Sequence, residues 1–278
     1  FIGVLPTVII KPLFLGGELT ALPFCDLGEI ITKDESTKPA LIEAARKITL
    51  DQGLKSFEYR TTATLEDKSS IGNKSTSPAD QKVRMLLELP DSAATLLSGF
   101  KSKLRSQIKK AEKNGLVATL GINDQFVEDF FDVFSCNMRD LGSPTHSKKW
   151  FYEIRNNYKE NMIISIIKYE DKPIGAGIVL FNGPNATIPW ASTKRSFNHL
   201  SPNMLLYWSL LEYVTDKGCK SFDFGRSSYG EGTYKFKQQW GAKPVALSWK
   251  KFTSTIEIPA LNKSPNTAKI RGTVESIW

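Results

Sequence analysis

One phrase occurs twice in this chain. It reads Asp51-Gln52-Gly53-Leu54-Lys55-Ser56-Phe57-Glu58-Tyr59-Arg60 and again Asp216-Lys217-Gly218-Cys219-Lys220-Ser221-Phe222-Asp223-Phe224, with Arg226 one place late. An amphipathic pattern precedes each copy. Leu41, Ala44, Ala45, Ile48 and Leu50 form the first, and Leu205, Leu206, Trp208, Leu211, Tyr213 and Val214 the second. A glycine, Gly53 or Gly218, then stands where a helix closes in a left-handed cap, and a short strand follows. Helix–glycine–strand units are common, but the shared Asp-x-Gly-x-Lys-Ser-Phe favours duplication over chance.

The likeness extends upstream more weakly. Ile2-Gly3-Val4 to Pro23-Phe24 matches Ile174-Gly175-Ala176 to Pro189-Trp190, both strand–turn–strand, with turns at Gly16-Gly17 and Asn182-Gly183-Pro184-Asn185. Two α/β units are therefore expected, residues 1–115 and 116–252, with a tail at 253–278. The second opens with a strand at Val117–Leu120 and a helix at Asp124–Leu141 that the first lacks, so the first unit reads as N-terminally truncated. Leu65–Asp80 reads as an exposed loop. A strand at Val83–Leu89 and one helix carrying Leu96, Leu97, Phe100, Leu104, Ile108 and Ala111 follow. Strands at Met162–Tyr169, Ile174–Phe181, Ala186–Ser192 and Val245–Phe252 give, with the crossovers, a mixed and mostly antiparallel sheet flanked by helices. That order resembles the GNAT acyltransferase fold.

Composition narrows the chemistry. A chain of 278 residues, 41% hydrophobic and 24% charged, is globular in type. Its net charge of +8 suits polyanionic partners such as RNA, phosphorylated substrates or anionic lipid, although a solubilising surface bias is the more economical reading of charge alone. Cys25, Cys136 and Cys219 lie far apart, and the only histidines are His146 and His199, which disfavours a disulfide framework and a metal site and fits a reducing cytoplasm. No apolar run reaches the roughly 20 residues of a membrane helix. The expected location is cytoplasmic or membrane-peripheral.

Five segments carry candidate chemistry. In Phe222–Ser227 a short strand is expected to run into a turn at Gly225-Arg226-Ser227 that exposes backbone N–H groups, where Arg226 meets a ligand and Asp223 orients it or acts as a base. A structural salt bridge is the plainer alternative. Gly232-Thr233-Tyr234 starts a short helix bearing Phe236, Lys237 and Trp240. Lys237 there can neutralise a phosphate or an oxyanion, whereas Phe236 and Trp240 read first as core. Thr193–Asn203 offers Lys194 and Arg195 before a helix capped by Ser201 and Pro202, but lacks the paired glycines that cradle the pyrophosphate of coenzyme A in a GNAT fold. Lys101, Arg105, Lys109 and Lys110 can grip RNA phosphates, with a solvated helix face as the commoner outcome. Arg139 and Asp140 end another helix and line a cleft or simply stop the helix.

An ordered set of motifs is similar to the Fem family of aminoacyl transferases. It comprises Leu22-Pro23-Phe24-Cys25-Asp26, Lys103-x-Arg105-x-x-Ile108-x-Lys110-Ala111, Asn137-Met138-Arg139-Asp140-Leu141-Gly142-Ser143-Pro144, Pro202-Asn203-Met204-Leu205-Leu206-Tyr207-Trp208, Phe222–Ser227, and Gly232-Thr233-Tyr234-x-Phe236-Lys237-x-x-Trp240-Gly241-Ala242-x-Pro244. Within the family the set looks most like the FemAB-related branch associated with PEP-CTERM/exosortase exopolysaccharide systems. The resemblance implies tandem GNAT-like domains and no permanent cofactor. It implies an acyl donor, aminoacyl-tRNA or acyl-CoA, and an envelope or exopolysaccharide precursor as acceptor. In that family the Phe-Lys pair of the last motif lies near the aminoacyl end of the tRNA, and Phe236 and Lys237 match it; with Asp223, read from the strand as the alternative to a substrate group as base, Lys237 makes up the expected catalytic pair. Gly225, Arg226, Ser227, Thr233, Tyr234, Phe236, Trp240, Lys194, Arg195, Asn203, Tyr207, Arg139 and Asp140 would be donor- or substrate-binding. No coiled-coil arm of the kind such enzymes often carry is visible. A coenzyme A-dependent N-acetyltransferase and a non-catalytic RNA- or glycan-binding module of the same fold are the rival readings.

Overall fold

The computed structural model describes residues 1–12, 16–63, 82–253 and 257–259. In chain order these form strands β1 (Gly3–Val4), β2 (Thr7–Ile10), β3 (Glu18–Ala21) and β4 (Ile31–Thr32), helix α1 (Lys38–Asp51), and strands β5 (Ser56–Thr62) and β6 (Lys82–Glu88). Helices α2 (Ala93–Gly99) and α3 (Ser102–Lys113), strand β7 (Val117–Gly121), and helices α4 (Asp124–Asp140) and α5 (Lys148–Tyr158) come next. The remainder are β8 (Met162–Tyr169), β9 (Lys172–Asn182), β10 (Asn185–Thr193), α6 (Pro202–Asp216), β11 (Ser221–Ser228), α7 (Gly232–Gln239), β12 (Lys243–Thr253) and β13 (Glu257–Pro259). The class is mixed α/β with mostly antiparallel sheets, as expected. The expected Leu65–Asp80 loop and most of the tail lie outside the described residues.

The described residues fall into two compact units. One holds Phe1–Arg84, Arg226–Tyr234 and the described residues from Pro244 on; the other holds Met85–Gly225 and Lys235–Lys243. In the first, β2 pairs antiparallel with β3, β3 parallel with β5, and β5 antiparallel with β12. Leu19, Ala21, Phe57, Tyr59 and Phe252 turn to one face and pack with Ala45 of α1. In the second, β7, β8, β9 and β10 pair antiparallel in that order, and β11 joins β10 in parallel. Val127, Phe130, Val133 and Phe134 of α4 and Phe151 of α5 pack on Ile164, Ile166 and Ile178. On α6, Met204 to Leu211 are all buried, and the Ser209 hydroxyl meets that of Ser165 at 2.8 Å.

The repeated phrase folds the same way in both units. Gly53 has φ +60° and Gly218 φ +90°, the left-handed caps that only glycine adopts cheaply. Leu54 N–H returns to Thr49 O at 2.8 Å, and Cys219 N–H to Val214 O at 3.0 Å. Each strand then begins with its serine opposite the first residue of the parallel neighbour: Ser56 opposite Glu18, Ser221 opposite Asn185. Each hydroxyl donates to that neighbour's side chain, at 3.1 Å to Glu18 Oε1 and 2.6 Å to Asn185 Oδ1.

Two local expectations are corrected. The single helix after Pro90 is two helices, because Phe100 is extended (φ −72°, ψ 146°) and drops its ring edge-on against Trp208 and Trp240, with centroids at 6.0 and 5.5 Å. Burial of that ring outweighs continuation of the helix, and Gly99 lowers the cost of the break. Ser201 precedes α6 but takes φ +65° and makes no side-chain cap; Pro202 does occupy the first turn.

Candidate active site

Parallel strands β10 and β11 pair over only three positions, Asn185↔Ser221, Ala186↔Phe222 and Thr187↔Asp223. Past Thr187, β10 shifts register against β9 through Ile188-Pro189, and Pro189 has no N–H to offer a ladder. On β11, Gly225 kinks the strand with φ +72°. The strands therefore part at a fork whose last rung is the Thr187–Asp223 pair.

Polar groups converge there. Thr187 Oγ1 donates to Asp223 Oδ2 at 3.4 Å, and the Gly225 N–H donates to Asp223 Oδ1 at 2.8 Å. Lys237 on α7 donates from Nζ to the Gly225 carbonyl at 3.1 Å. Asp223 and Lys237 are each 8% exposed, and a buried ammonium is tolerable only with such partners. The expected turn at Gly225-Arg226-Ser227 lies instead inside β11, because a left-handed glycine bends a strand without ending it. Its N–H groups meet carboxylates of the chain itself: Asp223 takes that of Gly225, and Asp26 Oδ2 accepts that of Arg226 at 3.0 Å.

Aromatic side chains back the lysine. Tyr207 stacks on Phe224 at 5.6 Å and meets Phe236 edge-on at 5.0 Å. Trp240 is fully buried and its Nε1 has no hydrogen-bond partner among the described residues. Burial pushes the Tyr207 phenol up to about 12, so it stays neutral through the working pH range.

The other expected residues are dispersed. Lys194 is held by Asp132 at 2.6 Å, and Arg195 is exposed on a 3-10 turn, Arg195–Leu200. Asn203 and Thr233 are exposed. Tyr234 is buried with its ring 4.9 Å from that of Tyr229; burial, then that neighbour, raises its phenol. Arg139 is exposed beside Asp140. In the first unit, Arg226 Nε lies 3.6 Å from Asp26 Oδ1, and its guanidinium sits 4.8 Å from the centre of the Trp249 ring, which Arg60 also covers at 4.2 Å. The Ser227 hydroxyl is buried without a partner among the described residues. On α3, Lys101, Lys109 and Lys110 are exposed and Arg105 bonds Ser98 O; Arg105 and Lys109 line a cleft of about 320 Å³ with Ser102, Ser106 and Trp208. Thr187 was not foreseen. Its place depends on the register that sets Asn185 opposite Ser221 and so carries Thr187 opposite Asp223.

The first unit has the same three-rung parallel pair but, among its described residues, no equivalent site. Arg60 stands where the second copy has Gly225, and the chain after β3 fills the edge of β5. Gly28 N–H donates to Arg60 O at 2.8 Å, Arg60 Nη1 to Cys25 O at 2.8 Å, and Thr62 N–H to Glu29 Oε1 at 3.1 Å.

No helix among the described residues is long and apolar enough to cross a membrane. Residues 98–238, half of the chain, match the family described as acetyltransferase (GNAT) domain. No curated protein matches. Among solved structures, FemX is similar with a TM-score of 0.64 at 12% identity, over 87% of this chain and 82% of that one. The lysylphosphatidylglycerol synthetase of Bacillus licheniformis gives 0.58 at 11%, over 99% and 86%. The C-terminal domain of a putative lysylphosphatidylglycerol synthetase from Agrobacterium fabrum gives 0.57 at 11%, over 87% and 83%. At these identities the likeness is one of fold.

Proposed function

The chain belongs to the acetyltransferase (GNAT) domain family, and from that premise we propose that it moves an activated acyl or aminoacyl group onto an amine or hydroxyl of an envelope or exopolysaccharide precursor. The observation that carries this reading is the buried Lys237 ammonium beside the strand fork. The acceptor's lone pair attacks the acyl carbonyl carbon, and the carbonyl oxygen gains charge that the ammonium stabilises in a poorly solvated site. The tetrahedral centre collapses, the bond to the donor's leaving oxygen or sulfur breaks, and the acceptor's proton passes to a group of the substrate. Arg226, Ser227, Tyr207 and Phe236 are assigned to donor binding. A doubled scaffold belongs to the same reading, as does the exopolysaccharide-associated branch.

Aminoacyl-tRNA is the favoured donor. The loop that cradles a pyrophosphate in coenzyme A-dependent relatives lacks paired glycines here, winds into a 3-10 turn, and has its lysine neutralised by Asp132. The exposed Lys101, Lys109 and Lys110 suit an RNA backbone, and FemX and the lysylphosphatidylglycerol synthetases are relatives in fold. The family's own description favours the second reading, an acetyl-CoA-dependent N-acetyltransferase. Purified protein incubated with charged tRNA, acetyl-CoA and candidate precursors, followed by mass spectrometry, separates them. Labelled precursor from charged tRNA alone is expected. Transfer from acetyl-CoA alone overturns the donor assignment. Salt-sensitive tRNA binding with no product from either donor leaves a binding module.

A further inference from the structure

We infer that Asp223 is a positioning residue, set opposite Thr187 in the last rung, that fixes the Gly225 kink and through it the seat of Lys237. Gly225 lies between two peptide groups of opposite use. The N–H on its amino side donates to Asp223 Oδ1 at 2.8 Å; the carbonyl on its carboxyl side accepts from Lys237 Nζ at 3.1 Å. The first link is an Asx-type bond from an aspartate to the N–H two residues on, a bond that selects one backbone conformation. Selection is needed because glycine at φ +72° has no side chain to hold it there and visits both signs of φ readily. The other carboxylate oxygen faces the Thr187 hydroxyl at 3.4 Å, and these two residues are direct partners in the last rung of the β10–β11 ladder. The order of dependence is thus Thr187, Asp223, Gly225, Lys237. It runs from the last paired rung to the cation, and each step is a hydrogen bond or a register pair. In the first unit the repeat puts Glu58 at the position of Asp223 and Arg60 at that of Gly225. Glu58 bonds the Arg60 guanidinium instead, so the relay is peculiar to the second copy.

A base and a positioning residue respond oppositely to amidation. Asp223→Asn keeps an oxygen for the Gly225 N–H but cannot take a proton; Asp223→Ala loses both functions. The inference rests on the proposed role of Lys237 only for its effect on turnover, so a donor-independent readout accompanies it. Isotopic acetic anhydride, used as a trace label from pH 6 to 11, reports the reactivity of the Lys237 amine peptide by peptide. Losing a hydrogen bond to a charged group should release the lysine: in Asp223→Ala its labelling is expected to rise about tenfold and kcat to fall about tenfold with KM nearly unchanged. Asp223→Asn should stay within about threefold of the parent in both, with the pH profile of turnover intact. Thr187→Val, expected to fold whatever Asp223→Ala does, should move labelling in the same direction by a smaller factor. Should Asp223→Asn abolish turnover as fully as Asp223→Ala and remove the basic limb of the profile, Asp223 is the base and the inference is wrong. Unchanged Lys237 labelling in Asp223→Ala and Thr187→Val overturns it even if no acyl donor supports turnover.

Discussion

Lys237 is buried to all but 8%, so its charge is costly unless it is used. Lys237→Met keeps the stem and removes the ammonium. Turnover with the productive donor is expected to fall about 10²–10³-fold, while chemical denaturation detects a loss of about 1–3 kcal/mol, because the Gly225 carbonyl loses its donor. Tyr207 gives a pH prediction. Its folded phenol titrates at about 12 against an ordinary value near 10. Its contribution is therefore fully present below pH 10 and is lost as pH rises from about 10 to about 12, at roughly 1.4 kcal/mol per pH unit. Denaturant titrations from pH 9 to 12 should show that slope flattened in Tyr207→Phe. Of the residues at the fork, Asp223, Gly225 and Lys237 were legible because each belongs to a local pattern: strand alternation, a glycine after an apolar run, a helix period. Thr187 was not, since its place depends on a register between strands 36 residues apart.

At the scale of elements, the glycine caps at Gly53 and Gly218, the β9–β10 hairpin and the crossover order follow from glycine placement and periodicity, and they appear where the sequence puts them. What local pattern cannot register is competition from the tertiary structure. Leu96, Leu97, Phe100, Leu104 and Ile108 have a continuous helical period, yet Phe100 leaves it to reach Trp208 and Trp240. Phe100→Ala should cost about 3–5 kcal/mol in equilibrium unfolding; an effect under about 1 kcal/mol would mean the ring does not set the break. Glycines divide by the same logic. At Gly218 an added Cβ meets nothing within 4 Å, so Gly218→Ala costs only the left-handed strain, about 1–2 kcal/mol. At Gly121 the Cβ would fall 2.4 Å from Phe126. Gly121→Ala must therefore displace that ring, which near-ultraviolet circular dichroism or the aromatic NMR signals would report.

Across the molecule, the phrase that occurs twice in the sequence folds alike in both places, with the same glycine caps, serine contacts and parallel rungs. Their divergence was visible only once strands were paired: nothing local says that residues 22–29 close the edge of β5. Net charge likewise speaks at this scale. With Lys101, Lys109 and Lys110 changed to glutamine, tRNA binding is expected to weaken and its log–log salt slope to drop by about 2 to 3; an unchanged slope removes α3 from the RNA footprint. Helix α6 has a further consequence. Met204 through Leu211 are buried without interruption, so this helix offers evolution no permissive stripe. In a saturation library sorted for folding alone its positions should deplete around the full circumference, whereas on α3 the lysine face should accept nearly any substitution. Neutral drift in this protein is then channelled onto its outer helices, and the crossover that delivers β11 to the fork becomes the slowest part of the sequence to diverge.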